Sequence, residues 1–204
     1  MQDIRVSFYV RGDASDVSGQ ILKVTSNASD SPSDVQESST AAVQRDFRIS
    51  AQGPDNSEYP KSIQLSTDGN ILVTGTPYSQ NEGGYVSVYK WEGETWRQLG
   101  SNIAQEGWFE RWGNEVAIDG SGNRIAAAAG AGSGSFVEVL EWNGADWSQI
   151  GNRFYSGSYT SFGDNVSLSH DGNTLAVGNT YGNNADGEVK VFDWNGAEWV
   201  QRGD

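Results

Sequence analysis

The chain has 204 residues, of which 36% are hydrophobic and 26 are glycine, so it can form a domain with a real core and tight turns. Its 27 Asp and Glu against 13 Lys and Arg give a formal net charge of -14. Such a charge repels phosphate backbones, and we therefore expect no nucleic-acid partner. Without cysteine, neither a disulfide framework nor a thiolate metal site can form.

The sequence shows neither an export signal nor a membrane span. Residues 1–6 have no basic segment followed by an apolar run, which a signal peptide would require. No window reaches the roughly 18 apolar residues of a spanning helix. We therefore expect no membrane insertion.

Residues 1–51 are predicted to form an N-terminal β segment. Residues 4–10 alternate as a strand does, and residues 26–34 are rich in Ser and Asp, which is typical of a loop. Gly19 lies 50 residues before Gly69, which is the first turn glycine of the repeat described next. The segment is therefore either a degenerate copy of that repeat or a separate β segment.

Residues 52–204 contain three copies of a repeat, at residues 52–104, 105–155 and 156–204. Each copy has a turn glycine, and these glycines lie 53 and then 50 residues apart. Later in each copy a Trp is followed five residues on by a second Trp, and then by Gln and Gly at fixed offsets. The recurring positions are Gly69, Gly122, Gly172, Trp91, Trp96, Trp142, Trp147, Trp194 and Trp199.

Each copy is predicted to form four antiparallel strands. The first alternates, as Val166 and Leu168 do, and ends in Asp-Gly or Ser-Gly, which suits a hairpin turn. The second is short and rich in small residues, as in 125–129, which would let neighbouring sheets approach closely. The third alternates over seven residues, as in 188–194, and the fourth carries the second Trp. Four strands per repeat of this length predict an all-β fold made of β-propeller blades.

The sequence also resembles known repeats. Trp112-Gly113 and Phe162-Gly163, with the residues after them, are similar to the FG-GAP-type propeller repeat. The ending Trp-Asn-Gly-x-x-Trp-x-Gln-x-Gly is similar to repeat proteins of marine algae, bacteria and their phages. The resemblance covers residues 52–204 and implies the propeller fold.

One feature of the FG-GAP family is missing from this sequence. Integrin-type blades bind calcium through a run of alternating acidic residues, but here the loop shrinks to two residues, as in Asp68-Gly69 or Asp171-Gly172. Two residues cannot supply the roughly six or more oxygens that calcium requires. We therefore expect no metal and no cofactor.

Three blades are too few for a closed ring, which takes roughly four to eight. The ring would be completed by residues 1–51, by a neighbouring subunit, or by further repeats of a longer array. The sequence therefore favours a protein that associates with other subunits, as a homo-oligomer or in a larger assembly.

Ligand contacts are predicted in the connections that differ between copies, because binding residues concentrate on loops that a rigid scaffold positions. The recurring Trp residues are interpreted as packing between blades, with sugar stacking as the alternative. For the residues outside the recurring positions, the alternative is that they only fill space. The predicted binding residues are Trp108, Phe109, Arg111, Tyr155, Tyr159 and Tyr181.

No arrangement of residues predicts catalysis. Ser169, His170 and Asp171 are adjacent in sequence, whereas a catalytic triad needs side chains that converge from separated positions. A pair of carboxylates for glycoside hydrolysis would have to come from residues whose spacing singles out no pair. These carboxylates are Glu110, Asp119, Asp146 and Asp164.

The leading hypothesis is a non-enzymatic structural or binding module that presents loops to a partner. The resemblance to phage and bacterial repeats implies a virion or an extracellular surface as its location. A carbohydrate-binding propeller lectin is the first alternative, and a propeller glycosidase is the second.

Overall fold

The computed structural model describes residues 5–10, 20–25, 43–48, 59–79, 83–105, 111–130, 134–155, 161–180 and 186–203. The chain divides into two compact units, Met1–Asn56 and Ser57–Asp204. Among the described residues, no helix has the length and apolar character needed to cross a membrane.

The first unit contains a three-stranded antiparallel sheet, with β1 (Arg5–Val10) in the centre between β2 (Gln20–Thr25) and β3 (Val43–Arg48). This order, β2-β1-β3, differs from the consecutive strand order of the repeats described below. The degenerate blade at residues 1–51 stays a prediction.

The second unit contains three blades, one for each predicted repeat. The first blade consists of β4 (Ser62–Leu65), β5 (Ile71–Thr76), β6 (Tyr85–Trp91), β7 (Trp96–Gln98) and β8 (Ile103–Ala104). The second consists of β9 (Trp112–Ile118), β10 (Arg124–Ala129), β11 (Phe136–Trp142), β12 (Trp147–Gln149) and β13 (Phe154–Tyr155). The third consists of β14 (Phe162–Leu168), β15 (Thr174–Asn179), β16 (Glu188–Trp194) and β17 (Trp199–Gln201).

Four strands of each blade pair antiparallel in chain order, which confirms the all-β, blade-type fold. In the first two blades a short extra strand, β8 or β13, pairs with the third strand beyond the end of the fourth. The sequence predicts four strands in each copy and no extra strand, and an interruption separates the extra strand from the fourth. The interruption contains Gly100 or Gly151, which have φ of 80° and 68°.

The Trp pair of each later blade packs on this interrupting glycine of the blade before it. The rings of Trp142 and Trp147 lie 5.5 Å apart. A Cβ on Gly100 would lie 3.0 Å from Trp142 and 3.2 Å from Trp147, so a larger residue would displace the rings. Trp147 also donates its indole N–H to the carbonyl oxygen of Leu99 at 3.0 Å. The equivalent packing in the next pair of blades involves Gly151, Trp194 and Trp199.

The first strand of the second blade begins with an aromatic side chain buried against the first blade. The pairing of β9 with β10 shifts between Ala128 and Ala129, so that a bulge follows Trp112. Gly113 in this bulge has φ of 83°, a conformation that favours glycine. Trp112 is fully buried and shares a core cluster with residues of the first blade. These residues are Val73, Val86 and Val88.

The third blade repeats this arrangement with Phe162 and Gly163. Phe162 is 2% exposed and shares a core cluster with the second blade, and Gly163 has φ of 87°. The bulge therefore explains why an aromatic residue is followed by glycine in Trp112-Gly113 and Phe162-Gly163. The aromatic residue enters the preceding blade, and the glycine permits the backbone turn that directs it there.

Small residues on the second strands let neighbouring blades pack closely against each other. A Cβ built on Gly75 would lie 2.0 Å from the carbonyl oxygen of Gly113, which is closer than real Cβ contacts. At the next interface, a Cβ on Gly163 would lie 2.7 Å from the Cβ of Ala128. At each interface, therefore, at least one position must be glycine, because a Cβ there would clash with the neighbouring blade.

Replacing Gly75 by alanine is expected to lower the free energy of unfolding by about 3 kcal/mol, because the clash is with backbone that cannot move aside. Gly134→Ala is the matched control, since a Cβ there meets nothing within 4 Å and the residue has no positive φ. Urea denaturation of both variants measures the difference. Equal stability of the two variants would contradict the close backbone contact between the blades.

Candidate functional site

The strand directions give the three blades two different edges. One, which we call the turn edge, holds the short hairpins between first and second and between third and fourth strands. The other, which we call the loop edge, is where second strands end, third strands begin and the chain passes to the next blade. The connections at the loop edge are residues 77–84, 105–111, 130–135, 156–161 and 180–187.

Two of the six predicted binding residues are described at the loop edge, Arg111 before β9 and Tyr155 at the end of β13. Trp108, Phe109, Tyr159 and Tyr181 lie outside the described residues. Arg111 and Tyr155 are described, and they lie at the ends of two different connections between blades.

Arg111 has a strained backbone and stacks on an aromatic ring. Its φ is 52°, and it is the one non-glycine residue with positive φ among those described. Its guanidinium carbon lies 5.5 Å from the ring centre of Tyr78, which is itself 6.2 Å from the ring of Tyr59. A cation–π contact of this kind contributes roughly 0.5–1 kcal/mol at an exposed site. The Arg111 guanidinium is therefore held in place by the Tyr78 ring, on a backbone with positive φ.

Tyr155 is exposed on a buried aromatic support. Its side chain is 64% exposed, and its ring lies 6.0 Å from that of Phe136, which is 2% exposed. Arg153 donates a hydrogen bond to the Tyr155 hydroxyl oxygen at 3.4 Å, and its guanidinium lies 4.2 Å from the centre of the Phe136 ring. The arrangement presents a flat, amphipathic ring with a cation beside it.

The Arg153 guanidinium is held by a buried carboxylate. Glu138 is 2% exposed and forms an ion pair with Arg153. Gln105 joins the pair, because its amide N–H donates to Glu138 Oε2 and its amide oxygen accepts from Arg153 Nη2, both at 2.8 Å. Burial alone would lower the pKa of Arg153, but the Glu138 carboxylate outweighs this effect and raises it. Arg153 therefore remains charged and oriented.

Sequence reasoning missed this network of Gln105, Glu138 and Arg153. In the first blade the positions of Glu138 and Arg153 are taken by Ser87 and Asn102, whose side chains form a neutral hydrogen bond of 2.8 Å. The ion pair is therefore specific to the second blade. A search for recurring positions does not find residues that occur in one blade only. The one signal in the sequence was a charged residue, Glu138, at a strand position where the first blade has Ser87.

The turn edge uses its polar groups to hold its own hairpins. In the first and third blades a Ser and an Asp two residues later bond to each other, as Ser66 does to Asp68 at 2.7 Å. In the second blade the order is reversed, and Ser121 donates to Asp119 at 2.6 Å. In every blade the pair also accepts the backbone N–H groups of its turn. These carboxylates therefore stabilise turns.

The residues weighed for catalysis do not converge among the described residues. The hydroxyl of Ser169 donates to Asp171, whereas Nδ1 of His170 lies 3.2 Å from Thr67 Oγ1. Asp146 accepts the backbone N–H groups of Trp147 and Ser101, which lower its pKa. Glu110 lies outside the described residues, Asp119 belongs to a turn pair, and Asp164 accepts from Thr180.

No group of three or more His, Asp or Glu side chains within the described ranges is placed to hold a metal ion. What the loop edge offers instead is aromatic surface and oriented hydrogen-bond donors. These can bind a partner without forming or breaking a bond.

The pKa of the Asp171 carboxyl is expected to be about 2, against an ordinary value of 3.8, because Ser169 and the Asn173 backbone donate to the carboxylate. Since the folded state depresses this pKa, the stabilisation exists above about pH 4 and is lost as the pH falls towards 2. A carbon-detected NMR titration measures the value. Ser169→Ala should raise the pKa towards 3.8, and an unchanged value in that variant would contradict the assignment.

Arg153→Met is expected to lower the free energy of unfolding by about 3 kcal/mol, because it leaves the buried Glu138 carboxylate without its cation. The double variant Glu138→Met, Arg153→Met should recover to within about 1 kcal/mol of the wild type, since no unpaired charge remains. Urea denaturation at neutral pH measures both. A double variant as unstable as the single one would contradict this account.

The comparisons with known proteins show the fold alone. No protein-family model matches the chain, and no curated protein matches it. It is similar to a putative 6-phosphogluconolactonase from Bacteroides fragilis, at 13% identity and a TM-score of 0.53, over 78% of this chain and 46% of that one. A putative 6-phosphogluconolactonase from Bacteroides uniformis matches at 12% identity and a TM-score of 0.52, over 100% of this chain and 54% of that one.

A protein from Lactobacillus plantarum also matches, at 14% identity and a TM-score of 0.52, over 98% of this chain and 52% of that one. The chain thus spans about half the length of these solved structures. At such low identity the likeness carries no activity from one protein to another. Together with the three blades, each with four consecutive antiparallel strands, it shows that the chain has a β-propeller fold.

Proposed function

We propose that the chain is a non-enzymatic binding module that presents the loop edge of its blades to a macromolecular partner. The observation that carries this proposal is the exposed Tyr155 ring beside Arg153, with both groups oriented by buried residues. A site held in this way loses little side-chain freedom when a partner binds.

The contrast between the two edges supports the proposal. At the turn edge, a ladder of backbone hydrogen bonds joins the blades, from Thr67 N–H to Gly120 O at 3.1 Å and from Gly120 N–H to His170 O at 2.9 Å. These groups are used to hold the blades together. At the loop edge the connections differ between blades, so a partner can be recognised there while the scaffold stays constant.

The location that we propose is a virion, of a phage for instance, or an extracellular surface, with other protein subunits as neighbours. Two observations support it. The Trp-Asn-Gly-x-x-Trp-x-Gln-x-Gly ending resembles repeats of phages, bacteria and marine algae, and the formal net charge of -14 keeps such a surface soluble.

A carbohydrate is the second candidate ligand, which would make the chain a propeller lectin. The specific observation is again Tyr155, whose 64% exposed ring can stack on the apolar face of a sugar. Arg153 and Gln105 lie beside it as hydrogen-bond donors for hydroxyl groups. A hydrolase would in addition need a pair of catalytic carboxylates.

Binding to a glycan array is expected to weaken about tenfold in Tyr155→Ala, because the stacking surface is removed. Tyr155→Phe is the matched control and should retain most of the affinity, since it keeps the ring. The bound glycan should be recovered intact, and release of hydrolysis products would contradict a non-enzymatic module.

Two further outcomes decide the site. Glycan binding that is unchanged in Tyr155→Ala would contradict the loop edge as the binding surface. If no glycan on the array binds the wild type, the carbohydrate candidate is excluded and the proposed partner is a protein subunit.

A further inference from the structure

The third blade exposes residues that the other two blades bury. Each blade has a face towards the next blade in chain order, which we call its following face, and a face towards the previous blade, its preceding face. The register of second and third strands aligns four positions on the following face of every blade. They are Val73, Gly75, Val86 and Val88 in the first blade, Ala126, Ala128, Val137 and Val139 in the second, and Ala176, Gly178, Val189 and Val191 in the third.

All four positions are buried in the first and second blades, because the next blade covers them. Val86 and Val137, for instance, are 0% exposed. In the third blade Val189 at the same position is 71% exposed, and the other three residues are partly exposed. An apolar surface with the same residue types and the same register therefore lies uncovered.

Other parts of the interface also remain open on the third blade. A Cβ on Gly203 would meet nothing within 4 Å, although the equivalent Gly100 and Gly151 lie under the Trp pair of the next blade. For a Cβ on Gly178, the three nearest heavy atoms all belong to Asn165 in its own blade, at 3.5 Å or more. The amide of His170 is the next donor of the backbone ladder, and it has no backbone partner among the described residues. The whole following face is therefore built for another blade.

The first blade carries the complementary surface. Tyr59 occupies the sequence position of Trp112 and Phe162, the aromatic residues that enter the preceding blade, although Pro60 follows it where the other two blades have the bulge glycine. Those two are buried, whereas Tyr59 is 41% exposed. Ile63 and Leu65, on the first strand of the same blade, are only partly buried.

We propose that the following face of the third blade binds the preceding face of the first blade in a second copy of this chain. Val189 of one copy would then pack against the Tyr59 ring of the other, as Val86 shares a core cluster with Trp112 within the chain. The interface is of the head-to-tail kind, which gives a ring when the rotation closes. Two copies with three blades each make six blades, within the roughly four to eight that close a propeller.

Analytical ultracentrifugation of the full chain tests this proposal. The wild type is expected to sediment as a dimer of about twice the 22.0 kDa chain mass. Val189→Asp should sediment as a monomer, because a charge would be buried in the contact. Val189 is exposed within one chain, so this substitution should leave the circular dichroism spectrum and thermal unfolding of the monomer intact.

Val200→Asp is the matched control. Val200 is 47% exposed, and its equivalents Arg97 and Ser148 are exposed in the other two blades, so blade packing does not cover this position. This variant should remain a dimer. A monomeric wild type, a dimer that survives Val189→Asp, equal dissociation of both variants, or open-ended polymers in place of a dimer would each overturn the two-copy ring.

Discussion

The entry of one aromatic side chain into the preceding blade is the contact on which the rest of the second unit depends. Trp112 and Phe162 are placed there by a bulge, and the bulge requires glycine at the next position. The same glycine allows backbone atoms of adjacent sheets to come within contact distance. The same two-residue segment supplies the aromatic side chain that enters the preceding blade and the glycine that lets the two sheets pack closely. A repeat with this segment therefore determines how it packs on the preceding blade as well as how its own sheet forms.

Under the proposed function, this way of packing places stability and recognition on different parts of the blades. The turn edge is occupied by Ser and Asp pairs and by the hydrogen-bond ladder between blades. The faces of the sheets are occupied by the aromatic wedges and the Trp pairs. The loop edge also joins the first two blades, since Trp112 donates its backbone N–H to the carbonyl oxygen of Gly83, but its connections differ in sequence between blades, and the oriented Tyr155 and Arg153 lie there. The ion pair that supports them adds rigidity at a position where the first blade uses a neutral Ser and Asn.

Periodicity in the sequence was sufficient to predict the fold. The Gly and Trp positions recur because every interface between blades needs the same residue types at the same places. Such recurrence can be seen in a single sequence. The Gln105, Glu138 and Arg153 network escaped because it occurs once and its members are far apart in sequence. The extra strands β8 and β13 escaped because each has only two residues and carries no recurring Trp. The exchanged order of Ser121 and Asp119 also went unnoticed, since hydrogen bonding preserves the turn when the residues trade places.

The uncovered face of the third blade also affects local stability. In a stack of repeats, the free energy of opening one unit depends on how many neighbours it touches. Within the described residues, the second blade has a neighbour on both faces and the third has one on a single face. In a single chain without the second copy, the third blade should therefore open by itself more often than the second, so that its backbone amides exchange with solvent through local unfolding while the second blade exchanges only when the stack opens.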